Sequence, residues 1–468
     1  MRDRVFSPLT PHLSPLIIMK KTILALVLLT SLSAKAQTYT VQQLVDSALA
    51  NNYATSSAQL GIEAAEQQRK EVFTKFFPMV SATGLWFNAN QGMAKIEVDP
   101  KSFIPQEMQQ TMAAYAQMLP PEIINALTPL ASPVSMSMMK NGTIASVMAV
   151  QPVFMGGQIV NGFQLAKVGE EVSRLQLRLS ENEVVRTTEQ YFWQLASLQE
   201  KMNTIAVVEE LLSSVNKDVS LAVQAGLTLR NDLLQVQLRQ NEVESQKVRL
   251  QNGIALLRLT LAQYCGLKNT DYQLSYDAQQ ASALISRHDH QTALANTPEY
   301  QLLNQQVEAA KLQRRMEVGK NLPSVAVGAG YNYHNLMDRD HTFGMVFATV
   351  SVPISSWWGG SHAIKRRKLE QQRAEQQLED NSELLRIRMQ KAWNDVEEAY
   401  QQLEIADRSI EQATENLRLN RDYYRAGTCT MNDLLQAQLL YQQAMDKRTD
   451  AFADYQKRII DYRQSLGM

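Results

Sequence analysis

The chain has 468 residues, with 46 basic and 47 acidic side chains, a formal charge of −1, 45% apolar residues and only 20% charged ones. That balance excludes a basic nucleic-acid binder and a disordered polar chain. Gly and Pro together number 33 while Gln alone numbers 47, so long, weakly charged helices with few turns are expected, and a mean hydropathy of −0.28 with one long apolar run excludes a bundle of membrane-spanning helices.

The apolar run comes first. Lys20 and Lys21 precede an apolar stretch from Ile23 to Leu29, followed by Ala34-Lys35-Ala36, the small-x-small pattern of a secretory cleavage site. Residues 1–36 therefore read as an upstream segment and a signal peptide, with the exported chain starting at Gln37. The cysteines are Cys265 and Cys429. Neither stands at that start to carry a lipid anchor, and two thiols in a chain of this size make no disulfide framework.

Next comes a helical approach, about 40–76, ending at Pro78. Two strands are predicted at Met79–Gln91 and Thr143–Phe154, rich in Val, Phe, Trp and Thr. Between them lies an irregular stretch, about Gly92–Gly142, carrying Pro and Met. Its Met108, Met112, Met118, Met136, Met138 and Met139 suit either soft Cu(I) or Ag(I) or the packing of an irregular loop. Pro152 cannot donate to a sheet ladder and suits a strand end, and Gly156-Gly157 lets the chain bend. From about Gln158 to Gln224 there is no Pro, and Ile205, Val208, Leu212, Val215 and Val219 recur at helical steps. Such a helix extends about 100 Å, as a coiled coil or as one stave of a helical tube. Ala225-Gly226 turns it into a returning helix with Asn231-Asp232 in its first turn. A polar connector, 271–290, contains His288-x-His290 and reads as a solvated linker.

The pattern then repeats. A helix over about 291–320 ends at Pro323, and two strands are predicted at Ser324–His334 and Thr342–Ile354. In the first, Val325, Val327, Ala329, Tyr331 and Tyr333 alternate with small or polar residues. Pro353, Trp357-Trp358 and Gly359-Gly360 precede a Pro-free helix, about Ser361–Ala426. Ala426-Gly427 is the second turn, and Asn432-Asp433 opens the last helix. ALAN occurs at 48–51 and at 293–296, an offset of 245, which also relates Pro78 to Pro323. AGLTLRNDLLQVQL at 225–238 matches AGTCTMNDLLQAQL at 426–439 in nine of fourteen places, an offset of 201 that also relates Pro152 to Pro353. The 44-residue difference between the offsets is the insertion. The chain is thus a duplicated half-unit: 37–270, the connector 271–290, and 291–468.

Aromatic residues at the strand ends (Trp86, Phe87, Tyr333 and Phe343) suit a membrane girdle. Trp357-Trp358 suits either the other interface or a packed core. Four strands cannot close a barrel in lipid, where every backbone group must be paired, so several chains would share one. A small soluble sheet packed on helices is the other reading of the strands. No phosphate-binding glycine loop, nucleophile elbow or HExxH motif occurs, so neither enzymatic activity nor a cofactor is expected.

The ordered set of helix, Pro, hairpin, Pro-x-x-x-Gly-Gly and long helix, the AG-x-T-x-x-N-D-L-L turn and the terminal helix ending near Leu466-Gly467 resembles the outer membrane efflux proteins, the TolC family of trimeric channel-tunnels. The resemblance covers about 37–468. It implies a mainly α fold with membrane β: a periplasmic helical barrel and four strands per chain in a homotrimeric twelve-stranded β-barrel. It implies a passive exit duct of a tripartite efflux or type I secretion system in the outer membrane. Partners would be outer membrane lipid, a periplasmic adaptor protein and an inner-membrane transporter of RND, ABC or MFS type; no nucleic acid is implied. A periplasmic coiled-coil structural or adaptor protein without a pore is the alternative.

The resemblance also implies a constriction at the helix turns. Asp232 and Asp433 match family aperture acids, and Tyr424 matches a latch tyrosine. Cys429 stands where an Arg latch would be, and Gln436 where a second acid would follow Asp433. In a trimer each Asp would place three carboxylates around one axis, favouring cations and raising their pKa values by repulsion. Alone, both read as ordinary first-turn acids. Cys429 suits a disulfide between copies, a soft metal, or a thiol without chemical role.

Overall fold

The computed structural model describes residues 37–93, 96–98, 108, 134–136, 139–277, 283–336, 339–355 and 357–468. The signal segment 1–36 lies outside the described residues, as does most of the insertion, including Met112, Met118 and Met138.

In chain order the elements are β1 (Gln37–Tyr39), α1 (Val41–Asn51), α2 (Tyr53–Phe73) with a single 3-10 turn after it, β2 (Met79–Met93), β3 (Ile96–Val98), β4 (Val134–Met136), β5 (Met139–Met155), α3 (Gln158–Gln224), α4 (Arg230–Tyr264), β6 (Tyr272–Leu274), α5 (His290–Leu294), α6 (Pro298–Gly319), β7 (Ser324–Leu336), β8 (Arg339–Ser351), α7 (Trp357–Arg425) and α8 (Met431–Ser465). Each approach helix is broken in two, at Asn52 and at Asn296-Thr297, where Asn52 and Thr297 cap the following helix through their side chains. No described helix is long and apolar enough to cross a membrane.

The residues divide into two compact units, each drawing on both sequence copies. The first takes residues up to 51, 187–283 and 403–454. In it the predicted stripe Ile205, Val208, Leu212, Val215 and Val219 is buried throughout, packing with Val236 and Val243 of α4 and Met431 and Leu434 of α8. β1 pairs in parallel with β6 inside the connector. Cys265, at the end of α4, is buried, and burial pushes its thiol up to about 12.

The second unit takes residues 52–186, 284–402 and 455–468. Its sheet is antiparallel with order β2-β5-β7-β8. Register fixes the faces, because directly paired residues point the same way. Val80, Val147, Tyr331 and Val346 share one face with Trp86, Val327 and Val350, and all seven are exposed. Val346 is 86% exposed, Val80 68% and Trp86 67%. The opposite face carries Thr83 and Ser146, hydroxyl to hydroxyl at 2.6 Å, with Asn332, His334 and His341. Thus the four predicted girdle aromatics divide: Trp86 and Tyr333 lie on the apolar face, Phe87 and Phe343 on the polar one, as the two-residue period demands. At the helix end of the sheet, Phe73, Phe76, Phe77 and Phe163 form a ring cluster, and Trp357 and Trp358 are exposed rather than packed as a core pair.

Three junctions differ from the sequence reading. Pro152 lies inside β5 at a bulge, where Val153 is the extra residue, rather than at the strand end. Pro353 does follow its strand, and Pro78 and Pro323 precede theirs. Gly156 and Gly157 are left-handed, with φ of 60° and 78°, but Gly359 and Gly360 lie within the first turn of α7 and bend nothing. Gly360 is instead a matter of space, since a Cβ there would run into the Asn321 side chain. The connector is also no free linker: the His288 backbone N–H donates to the Tyr462 hydroxyl at 3.0 Å, His290 Nε2 lies 3.3 Å from the same oxygen, and Tyr462 is fully buried.

Gly156→Ala meets both a strained φ and the backbone of Gly319. It should destabilise the protein by more than about 2 kcal/mol. Gly169→Ala, within α3 and with open space around it, should be neutral or stabilising. Urea midpoints of the two variants in detergent test the contrast.

Candidate functional site

The two sequence turns are built alike. Gly226 and Gly427 have φ of 70° and 71°. Leu227 N–H donates to Ala222 O at 2.8 Å and Gly226 N–H to Val223 O at 3.1 Å. Thr428 N–H donates to Tyr423 O at 2.9 Å and Gly427 N–H to Tyr424 O at 3.0 Å. Each turn is a Schellman motif, which ends a helix through a left-handed residue that only Gly supplies without strain.

After the turns the copies diverge. In the first, Thr228 Oγ1 donates to Asp232 Oδ2 at 2.6 Å. Tyr424, from the other turn, lies close enough to Asp232 and Thr228 to feel both. Burial first, then the Asp232 charge, raises its pKa. Asp232 and Tyr424 are thus brought together across the copies, and Tyr424 packs on the core of Val215, Val219, Val236, Met431 and Leu434. In the second copy the offset places Cys429 at the position of Thr228. Its thiol donates to Asn420 O at 3.3 Å. Burial and then the Asp433 charge raise its pKa, which disfavours the free thiolate. Both cysteines are free, and the described residues contain no group of three or more potential metal ligands.

Asp433 is held by the next residue instead. Thr430 N–H and Oγ1 donate to Asp433 Oδ2 at 2.9 and 2.6 Å, and Asp433 N–H returns a bond to Thr430 Oγ1 at 3.2 Å. This is a capping box with Asp in place of Glu. Within one chain the hydrogen bonds from Thr430 therefore lower the Asp433 pKa, the opposite of the direction that mutual repulsion would give. Gln436 is exposed one helical turn further on.

One arrangement was not anticipated. Arg239 of α4 is buried and links the two returning helices, donating from Nε to Gln438 Oε1 at 3.0 Å and from Nη2 to Gln442 Oε1 at 2.8 Å, both on α8. Nη1 reaches Glu242 at 2.8 Å, and Gln442 Nε2 donates to Gln246 Oε1 at 2.7 Å. A signal existed: at the 201-residue offset Arg239 corresponds to Leu440, a charge for an apolar residue just past the run where the copies agree best. The arrangement joins helices through polar contacts near a pair of turns. It is built from amides, a guanidinium and one carboxylate, and what these can do is hold the two helices together.

Residues 290–468 match the family model described as outer membrane efflux protein. That stretch, the second sequence repeat, is what resembles the family. No curated protein sequence matches the chain. Among solved structures, the outer-membrane channel OprN is similar with a TM-score of 0.73 at 15% identity, covering 91% of this chain and 89% of that one. VceC from Vibrio cholerae gives 0.71 at 13%, covering 91% and 96%. The open state of MtrE from Neisseria gonorrhoeae gives 0.72 at 14%, covering 91% and 88%. The efflux-protein fold therefore extends over almost all of the chain, and the mainly helical class with a four-stranded antiparallel sheet is the one expected.

Arg239→Met leaves two buried Gln carbonyls without their donor. It should cost about 3 kcal/mol, read from denaturant unfolding, with Arg239→Lys recovering only part because a single ammonium cannot match the planar fork. Asp433, with its folded pKa below the ordinary 3.8, adds stability that is complete above that value and lost as pH falls through the folded pKa. Exchange protection in the first turn of α8 should therefore fall below about pH 4 in the native protein, and show no such step in Asp433→Ala.

Proposed function

We propose that the chain is the outer membrane channel of a tripartite efflux or type I secretion system, a passive trimeric duct for substrates passed on by an inner-membrane pump through a periplasmic adaptor. The observation that carries this reading is the sheet. It has one face of exposed Val, Tyr and Trp, and two edges, β2 and β8, that are unpaired among the described residues. An apolar face in lipid with open edges is untenable. Three copies, each giving four antiparallel strands, close a twelve-stranded barrel with an even strand number. The Thr83, Ser146, Asn332 and His334 face then lines the bore. Exposed Leu369, Leu384 and Ile387 on α7, and Val248, Leu256 and Leu259 on α4, offer apolar helix faces to neighbouring copies. A pore-free periplasmic coiled coil has no use for the apolar sheet face.

The pump would be of RND, ABC or MFS type. Asp232 and Asp433, three of each in the trimer, would give the narrow end an acidic lining, with Tyr424 and Arg239 holding the turns in place.

The chain should run as a trimer in mild detergent by native mass spectrometry; a monomer overturns the reading. In planar bilayers, the double variant Asp232→Asn and Asp433→Asn should lose cation preference and divalent-cation block. Asn still accepts the Thr430 cap, so folding is kept. Unchanged ion preference would remove the acidic lining.

A further inference from the structure

On the polar face of the sheet, His334 of β7 is the direct cross-strand partner of His341 of β8. Their rings lie 5.4 Å apart, centroid to centroid, with 31° between planes. The His334 Nδ1 atom is buried and has no hydrogen-bond partner among the described residues, an expensive condition for a ring nitrogen unless something occupies it. The nearest carboxylate in sequence, Asp340, points to the other face, where it accepts from Tyr333 Oη at 2.8 Å and Asn335 Nδ2 at 2.6 Å. Its hydrogen-bond partners are on that face, and among the described residues it makes no hydrogen bond to either imidazole. Phe343 stands against the His334 ring, edge to face at 6.5 Å, and limits how far it can turn.

We infer that His334 and His341 form a two-imidazole site for a borderline divalent cation of the Zn²⁺, Ni²⁺ or Cu²⁺ class. Imidazole is the preferred ligand of these ions. An ion held by one nitrogen of each ring at about 2.1 Å, with a tetrahedral angle between them, places the centroids about 5.2 Å apart. The observed separation matches, so rotation of the rings rather than movement of the strands completes the site. Both ligands sit on one hairpin, so the chelate is pre-organised by the ladder. With no third protein ligand the remaining positions belong to water, which leaves the ion exchangeable. In the closed barrel three such sites would face the bore. That consequence rests on the channel reading, whereas binding by the hairpin does not.

Full-length protein purified in detergent without a polyhistidine tag is titrated with NiCl₂ by calorimetry. One saturable site per chain is expected, weakened at least about tenfold in His334→Gln and in His341→Gln, and unchanged in His362→Gln on α7. Binding that survives both hairpin variants, or no saturable binding, overturns the site. A second readout needs no variant. The electron paramagnetic spectrum of the Cu²⁺-loaded native protein should show coupling to two imidazole nitrogens, and a spectrum without them overturns it. Trimer assembly is scored in the same samples, so loss of the channel reading and loss of the metal site are separate results.

Discussion

The unpaired edges of the four-stranded sheet are the constraint on which the rest depends. β8 is 13 residues long, and an edge strand of that length leaves about six N–H and six C=O groups without a ladder partner. In hydrocarbon each such group costs several kcal/mol, so the summed cost exceeds the whole stability of a typical domain. Water would satisfy those groups, but water is a poor neighbour for the face carrying Val80, Trp86, Val147, Tyr331 and Val346. The two demands conflict in a single chain, and the proposed channel reconciles them by pairing β8 of one copy with β2 of the next. In the trimer proposed above, oligomerisation is part of folding. Within the chain, Gly328 lies under the ring of its cross-strand partner Phe347, where any Cβ would collide.

Duplication supplied two copies of one plan, and local chemistry then assigned them different work. Gly226 and Gly427 remain equivalent because a Schellman turn requires a left-handed residue in both. Gly156-Gly157 and Gly359-Gly360 do not, because the first pair turns the chain while in the second Gly360 clears space for Asn321 and Gly359 stands in open space. The acids diverge by a shift of one position. Asp232 is held by Thr228, whose counterpart is Cys429, so Asp433 is held by Thr430. The thiol left at the vacated position turns to a backbone carbonyl and stays protonated.

Periodicity made the long helices legible almost to the residue: α3 begins at Gln158 and ends at Gln224 as its Pro-free pattern demands, and the stripe from Ile205 to Val219 is the buried one. Strand positions were legible from Pro and β-branched residues, but their faces were not, because Trp86 and Phe87 are neighbours and only register tells which one points to the apolar side. Composition likewise hid the strands' role, since alternate apolar residues in a sheet raise mean hydropathy far less than a helix of equal reach. At the site, the turn glycines, Asp232 and Asp433 could be found from the repeat and Tyr424 from the family resemblance, while the partners of each could not. Those depend on which threonine reaches which carboxylate, a difference of one residue. Arg239 was visible only as a mismatch with Leu440, and Gln438 and Gln442 were lost among many other glutamines. His288 and His290 looked solvated because nothing local foretells a fully buried Tyr462 on α8.

Arg239 is also the residue least suited to stability alone. A buried guanidinium loses its hydration, and its hydrogen-bond partners on α8 are neutral amides, while the carboxylate that balances it, Glu242, is largely exposed. Apolar residues at such sites commonly stabilise as well or better, and Leu440 shows that an apolar side chain is accepted at the equivalent position in the other copy. What Arg239 provides is direction. Its planar fork fits acceptors four residues apart on one face of α8, which fixes the register of the two returning helices in a way that interdigitated Leu side chains do not. Such a link can be exchanged for water when the helices part, whereas an apolar seam would expose its surface at full cost. A polar clasp over two capped turns, on helices otherwise held by a Val and Leu stripe, suits a joint that is closed firmly yet can be opened without unfolding what lies on either side.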